Sequence, residues 1–541
     1  MTTWKRGMRR RDLLGAAVVA CAWFGVLTLS AAPAAANVDR LIVVMSPPSV
    51  ESNLIWVAGI AERMPFLQSL VGNDPITGEY NNSELARAWE HNEDRTEWTF
   101  HLHEDAEFHF GWGPVTAHDV VHSYELHTGP DAQYGGRERL EAKEVVALDD
   151  HTVVFRFDSP YTDYAFPHAG RVEMMVYSRA QYDAEGIEGY NTRPAGSAPY
   201  QFVERLVGER LVIERVPDHW QGIEPDFAEI EFRWTAEPAT KLATLLAGEA
   251  HMADLPRELQ SEAVEAGFAI VTSQNAAMNT GVVFSGLYCT TGDPACRPDL
   301  PWHDVRIRVA MNRAVDRPQM MELLYDGRAE IIPSWIFDPR HEGWVQELAD
   351  SFMDDYGYDP ERAKELIAEA GYPDAFAAPV IPIMFGALAG NPEYPLLAEL
   401  LQVYFEEVGL QTEIREMDWA MVISLGRARE SYMIRPVRNA PVRPTEIGLA
   451  TFFYSEGSPN RPYESDTLDA LVRDLVSERD PDERERLAAE AFRYMYTNYV
   501  DMPLAALGFD MMVDPKVVAD WTFPGATTNS VSHWHLIKAA Q

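Results

Sequence analysis

Three arginines, Arg435, Arg438 and Arg443, fall in one short stretch that runs Met433-Ile434-Arg435-Pro436-Val437-Arg438-Asn439-Ala440-Pro441-Val442-Arg443-Pro444-Thr445-Glu446. A guanidinium presents a planar fork that matches a carboxylate or phosphate. Together with Asn439 they read as a recognition point for an anionic group, or as partners of the chain's many surface acids. Asp418-Trp419 lies just before, after the strand-like Gln411 to Met417, and Trp419 offers either a stacking face for a ligand or a packing group. Six histidines (His101, His103, His109, His118, His122, His127) cluster in sequence, and His118 and His122 stand one helical turn apart. That spacing can clasp a metal, but fold positions and solvated helix positions explain these residues as well, so no metal site or cofactor is assigned. Cys289 and Cys296 are separated by six residues, which in an oxidising compartment reads as a disulfide pinning a loop.

The elements that must position these groups are punctuated clearly. Glu97 to Leu102 alternates Trp98, Phe100 and Leu102 on one face, as a half-buried strand does. Thr116-Ala117-His118-Asp119 has the pattern of a capping box opening a helix. Leu211 to Val216 and Phe227 to Trp234 read as strands around the turn Pro217-Asp218-His219-Trp220. Asp359-Pro360 starts a helix that Gly371 stops, and Asp480-Pro481 starts another running to about Asn498. Mixed strands and helices over 541 residues imply an α/β protein with several lobes.

The N-terminus carries an address. Arg10-Arg11-Asp12-Leu13-Leu14 precedes an uncharged run to Ala34-Ala35-Ala36, the pattern of a twin-arginine signal peptide over residues 1–36 cleaved before Asn37. An uncleaved anchor is the alternative, since the run is long enough to span a bilayer. Val18-Val19-Ala20-Cys21 resembles a lipoprotein box, with Cys21 as the lipidated residue. The expected location is the periplasm. The formal net charge is −39, and the signal holds more base than acid, so the remainder is more acidic still. Such a surface repels nucleic acid and anionic lipid. The sequence contains no G-x-S-x-G elbow, H-E-x-x-H helix or phosphate-binding G-x-x-x-x-G-K-[ST] motif.

Several segments, taken in order, resemble one family: the solute-binding proteins of peptide/nickel-type ABC transporters, family 5. Leu85-Ala86-Arg87-Ala88-Trp89-Glu90 followed by Thr99-Phe100-His101-Leu102 is similar to the family's "L-A-x-S-W … T-F-x-L". Phe108-His109 through His122-Ser123-Tyr124 resembles "F-H-D-G-x-P-F-T-A-E-D-V-V-F-S-Y", and Gly196-Ser197-Ala198-Pro199-Tyr200 stands where the family has "G-T-G-P-Y". Glu214 to Trp220 resembles "E-R-N-P-D-Y-W", Asp304 to Arg317 resembles "D-V-R-V-R-Q-A-L-N-Y-A-I-D-R", and Tyr358 to Pro373 matches a late family helix.

The resemblance implies a two-lobed periplasmic binding protein fold of the cluster C type, with a hinge and an extra inserted domain. Lobe one would take residues 37–80, 195–298 and 505–541, the inserted domain 81–194, and the other lobe 299–504. It implies a monomer that captures a small-molecule or peptide ligand between the lobes and hands it to ABC permease subunits with a separate ATPase. It is not expected to be an enzyme, although an exported hydrolase, or a receptor or chaperone without a permease, are the rival readings. Asn53 and Trp56 fall in a region that often lines the family's cleft. Many peptide-binding relatives carry an acidic "W-x-x-D-Y-P-D-P" type segment where Arg435 to Arg443 stand. Its aspartate takes the peptide's terminal ammonium, and the arginines here turn the expectation toward an anionic group.

Overall fold

Capping side chains fix the helix ends where the sequence places them. Thr116 and Asp119 exchange hydrogen bonds to open the helix Ala117–Thr128. Asp359 accepts from Arg362 N at the start of Pro360–Glu369, and Asp480 accepts from Asp482 and Glu483 N at the start of Pro481–Thr497. Each satisfies amide groups that the first helical turn leaves without intrahelical partners. Gly371, at φ +103°, follows the first of these two helices in the left-handed region that closes a helix. The expected strands form as Glu97–Leu102, Arg210–Arg215 and Glu229–Trp234.

The structure, a computed structural model, describes residues 39–541 except 49–50, 55, 57–64, 133–139, 141, 162, 170–173, 289–293, 375–377, 387–392, 418, 442, 456–457, 459 and 526–531. The signal segment 1–36 with Cys21, and Cys289, lie outside the described residues. Asn37–Gln541 is one compact unit. Among the described residues, no helix is long and apolar enough to cross a membrane.

Three sheets organise that unit. A seven-stranded sheet runs, edge to edge, Ala269–Thr272, Asp510–Val513, Met252–Ala253, Arg40–Met45, Glu229–Trp234, Arg210–Arg215 and Tyr200–Leu206. A six-stranded sheet runs Ala329–Ile331, Asp501–Leu507, Met278–Phe284, Ile434–Asn439, Ile381–Phe385 and Thr412–Glu416. A four-stranded sheet lies between residues 86 and 156. Each sheet has its own apolar cluster, and a separate one fills the helices of the second lobe around Trp335, Phe337, Phe452 and Phe492.

The chain crosses between the large sheets at residues 273–277 and again at 508–509. The strand after the first crossing falls in the range 195–298 expected for lobe one. Met278–Phe284 is buried at every position and sits inside the six-stranded sheet, between Asp501–Leu507 and Ile434–Asn439. A strand buried on both faces needs cover on both, and an interior position supplies it.

Beside the second crossing, side chains tie the lobes together. Arg257, at the start of the helix Arg257–Glu265, reaches Asp510 at 3.2 Å, the Gly508 carbonyl at 2.9 Å and Glu393 of the other lobe at 3.2 Å. Arg328 of the second lobe answers with Asp510 at 3.0 Å and Gln260 at 2.7 Å. The carboxylates of Glu393 and Asp510 are each 6% exposed, so this is a largely desolvated cluster.

Candidate ligand-binding cleft

Between the lobes lies a cleft of about 1120 Å³. One wall comes from residues 76–80, Arg95, Asp163, Gln274 and Asn275; the facing wall comes from 339–342, Pro444, Thr445, Glu446, Pro481, Arg484 and Glu485. Arg479 of the second lobe pairs with Asp94, next in sequence to Arg95 of the lining.

The facing wall holds a buried charge cluster. Arg484, 4% exposed, donates from Nε to Glu342 at 2.9 Å and from Nη1 to the Leu475 carbonyl at 2.8 Å, and its Nη2 meets the other Glu342 oxygen. Glu446 Oε2 stands 3.4 Å from the same Nη2. Burial and the neighbouring Glu342 raise the Glu446 carboxyl well above the usual carboxylate range, against the pull of Arg484. Glu446 also lies in the first turn of the helix Thr445–Phe453, where the backbone favours its charged form, and burial outweighs that. His341 is held neutral by burial while its ring bonds the Pro441 carbonyl at 2.7 Å. On the opposite wall Tyr80 donates to Asp163 at 2.9 Å, and burial, then the Asp163 charge, raise the Tyr80 hydroxyl well above its ordinary value, with Glu446 adding a smaller push.

The arginines singled out in the sequence are placed by the strand Ile434–Asn439. Strand alternation puts Arg435, Val437 and Asn439 on one face and Arg438 on the other. Arg435 is fully buried, and desolvation lowers its guanidinium to about 10. Arg438 is half-buried, and both it and Arg435 influence the buried Tyr394 hydroxyl, which desolvation pushes up to about 12. Arg443 Nη1 donates to Asn439 Oδ1 at 2.9 Å. None of Arg435, Arg438 or Arg443 is among the lining residues of the 1120 Å³ cleft, although Pro444, immediately after Arg443, is.

The N-terminal candidates sit elsewhere. Asn53 is buried, donating to the Asn191 carbonyl at 2.7 Å and accepting from Arg205 at 2.9 Å, while its own carbonyl accepts from Tyr177. Trp56 packs edge-on against Tyr177, Tyr190 and His127 in the core of the first lobe. Neither lines the 1120 Å³ cleft. Trp419 begins the helix Trp419–Ala428, and its side chain lies outside the described residues. Cys296 is disulfide-bonded.

The histidines disperse. His118 faces Asp150 at 3.8 Å, whereas His122 bonds the Tyr190 hydroxyl at 3.2 Å and packs on Tyr182. His109 bonds the Ala198 carbonyl at 2.8 Å and burial lowers it to about 3. Among the described residues no group of three or more His, Cys, Asp or Glu could hold a metal ion.

Sequence reasoning missed Glu342, Arg484, Tyr80, Asp163 and Tyr394. The first four come from four separate segments, and only folding brings them together. Glu446 stands in the quoted arginine stretch. Its signal was an acid opening an otherwise apolar helix.

These features find counterparts in known proteins. The heme-binding protein A of Haemophilus influenzae is 26% identical over 364 residues, covering 62% of this chain and 62% of that protein. The dipeptide-binding protein of Escherichia coli is 25% identical over 358 residues, covering 62% of this chain and 63% of that protein. The chain thus matches less than two thirds of the length of these two curated relatives. The crystal structure of the ABC transporter substrate-binding protein CtaP from Listeria monocytogenes superposes with a TM-score of 0.75 at 18% identity, over 93% of this chain and 99% of that one. The family described as bacterial extracellular solute-binding proteins, family 5 Middle, matches residues 82–460. With that match, and with the two large sheets and the cleft in place, the chain belongs to the family 5 bacterial extracellular solute-binding proteins.

Proposed function

We propose that this chain captures a small solute between its lobes outside the cytoplasm and delivers it to the permease of an ABC importer powered by a separate ATPase. The observation that carries this reading is the 1120 Å³ cleft, walled from both sides of a connection that the chain crosses twice. Closure of such a cleft is driven only by a ligand that binds the closed form better than the open one, so groups contributed by both walls are required. The chain acts as a monomer without cofactor, and it holds and releases its solute unchanged. Residues 1–36 serve as the export signal, and Cys289 is the partner of Cys296. The two curated relatives are named for heme and for dipeptides, so membership of the family does not fix the solute.

The solute carries an anionic group drawn toward the arginine stretch, whose last member, Arg443, directly precedes the cleft-lining Pro444. Native mass spectrometry of the purified protein is expected to show a co-purified small molecule. Calorimetric titration of that molecule against Arg435→Ala, Arg438→Ala and Arg443→Ala is expected to weaken binding at least tenfold for one of the three. Unchanged binding by all three sinks the anionic assignment. Chemical turnover of the solute sinks the binding role.

A further inference from the structure

The cleft wall carries a feature that anion recognition does not use. Glu342 and Glu446, two carboxylates, share one guanidinium, that of Arg484. Arg484 is committed elsewhere: its Nε and Nη2 fork onto Glu342 and its Nη1 goes to the Leu475 carbonyl. Glu446 is only 4% exposed. Its Oε2 keeps the 3.4 Å ion contact with Arg484 but accepts no hydrogen bond from a described residue. A buried carboxylate oxygen left in that condition is costly, and such groups are normally satisfied by a partner. Here the oxygen belongs to a residue lining an open cleft of about 1120 Å³.

When protonated, Glu446 hydrogen-bonds the Glu342 carboxylate, but the remaining groups around the cleft give its Oε2 no donor. Across the space, the Tyr80 hydroxyl donates to Asp163. His341 bonds the Pro441 carbonyl and is held neutral by burial. Arg340 forks onto Asp338, and Glu485 accepts from the Gly343 amide. Arg95, on the opposite wall, has contacts of its own.

We propose that Glu446 is a second recognition point of the cleft and takes a cationic group of the solute, a primary ammonium or a guanidinium. Resting on the capture reading above, this makes the solute dipolar, with its anionic end toward the arginine stretch and its cationic end toward Glu446. An ammonium donates three hydrogen bonds and a guanidinium five, so either satisfies Oε2 and pairs with the carboxylate once Glu446 has given up its proton. In the empty cleft Glu446 holds a proton at neutral pH, because burial and Glu342 disfavour its charge. Arrival of the cation releases that proton to solvent. Affinity for a cationic solute therefore rises with pH up to the point where the empty site itself ionises.

The test uses three N-acetylated tripeptides that differ at one position, acetyl-Ala-Lys-Ala, acetyl-Ala-norleucine-Ala and acetyl-Ala-Glu-Ala. Each keeps one terminal carboxylate and has no terminal ammonium. Isothermal titration of the wild-type protein at pH 7.5, in two buffers of different ionisation enthalpy, is expected to show the lysine peptide binding at least tenfold tighter than the norleucine peptide, with net proton release. The preference is expected to shrink at pH 6 and to vanish in Glu446→Gln, with a wild-type circular dichroism spectrum confirming that the variant folds. A lysine preference retained in Glu446→Gln overturns the proposal. So does equal binding of the lysine and norleucine peptides by the wild type, and so does an absence of binding by all three. The capture reading is judged separately, by the co-purified solute: it stands if such a molecule is found even when the tripeptides fail.

Discussion

Replacing Arg257 with alanine is expected to destabilise the protein by about 3 kcal/mol and to weaken solute binding at the same time. Arg257 sits between two carboxylates, Glu393 and Asp510, each at 3.2 Å and each 6% exposed. A pair at that separation is worth about 5 kcal/mol at an effective dielectric near 20. Most of that is cancelled by the cost of taking the ions out of water. Removing one partner of a buried pair nevertheless costs about 3–5 kcal/mol, because the remaining charge is stranded. The lower end applies here, since Arg328 still faces Asp510 at 3.0 Å and only Glu393 loses its cation. Burial already raises the Glu393 carboxyl, so without Arg257 it takes up a proton more readily still. Over about 500 residues the unfolding entropy near 60 °C is about 1 kcal/mol/K, so the loss reads as a fall in Tm of about 3 °C in calorimetry. Because Glu393 and Arg257 belong to different lobes, part of the effect falls on closure, and affinity for the co-purified solute drops with it. A double-mutant cycle with Glu393→Ala isolates that part and is expected to return about 1–3 kcal/mol of coupling. A Tm change under 1 °C together with zero coupling would refute the view that this cluster holds the lobes.

Two further substitutions test other parts of the structure. Gly196→Ala places a Cβ 1.7 Å from the Phe66 carbonyl oxygen, a contact only a backbone shift relieves, so a loss of about 3 kcal/mol or more is expected in urea unfolding; wild-type stability would contradict the packing of this turn. Asp501 is buried, accepts a hydrogen bond from Trp335 Nε1 at 2.7 Å, and is raised from 3.8 to about 7, chiefly by burial. The folded protein thus binds more protons than the unfolded chain between those values, and this site's stability contribution is lost as pH rises through about 7. Asp501→Asn removes that slope and is expected to raise Tm at pH 8, by up to roughly 4 kcal/mol of stability; a Tm unchanged at pH 8 refutes it.

Much of the fold was legible because local chemistry encodes it. Thr116, Asp359 and Asp480 cap helices that follow from their own side chains, and Glu97–Leu102 alternates because one face is buried. The position of Met278–Phe284 was not legible, since its residues, Asn279 and Thr280 among them, do not say which sheet the strand joins. The site was less legible still. The arginine strand was visible as composition, but strand parity, which separates Arg435 from Arg438, depends on the ladder it joins. Asn53 and Trp56 carry ligand-like chemistry, yet their hydrogen bonds and ring contacts go to Arg205, Asn191, Tyr177 and Tyr190. The Glu342–Arg484–Glu446 group joins segments more than a hundred residues apart in part, and no spacing rule reaches that far.

The strand Asp510–Val513 lies in the interior of the seven-stranded sheet, between Ala269–Thr272 and Met252–Ala253. A ribosome extends the chain from its N-terminus at about 5–20 residues per second, so for most of synthesis the first lobe waits with an open slot in its sheet. The lobe begun first is thus completed last, after the whole of the second lobe has emerged. Losing the final thirty or so residues would remove no peripheral tail: it would detach Ala269–Thr272 from the sheet and leave the edge of Met252–Ala253 open to any neighbouring chain.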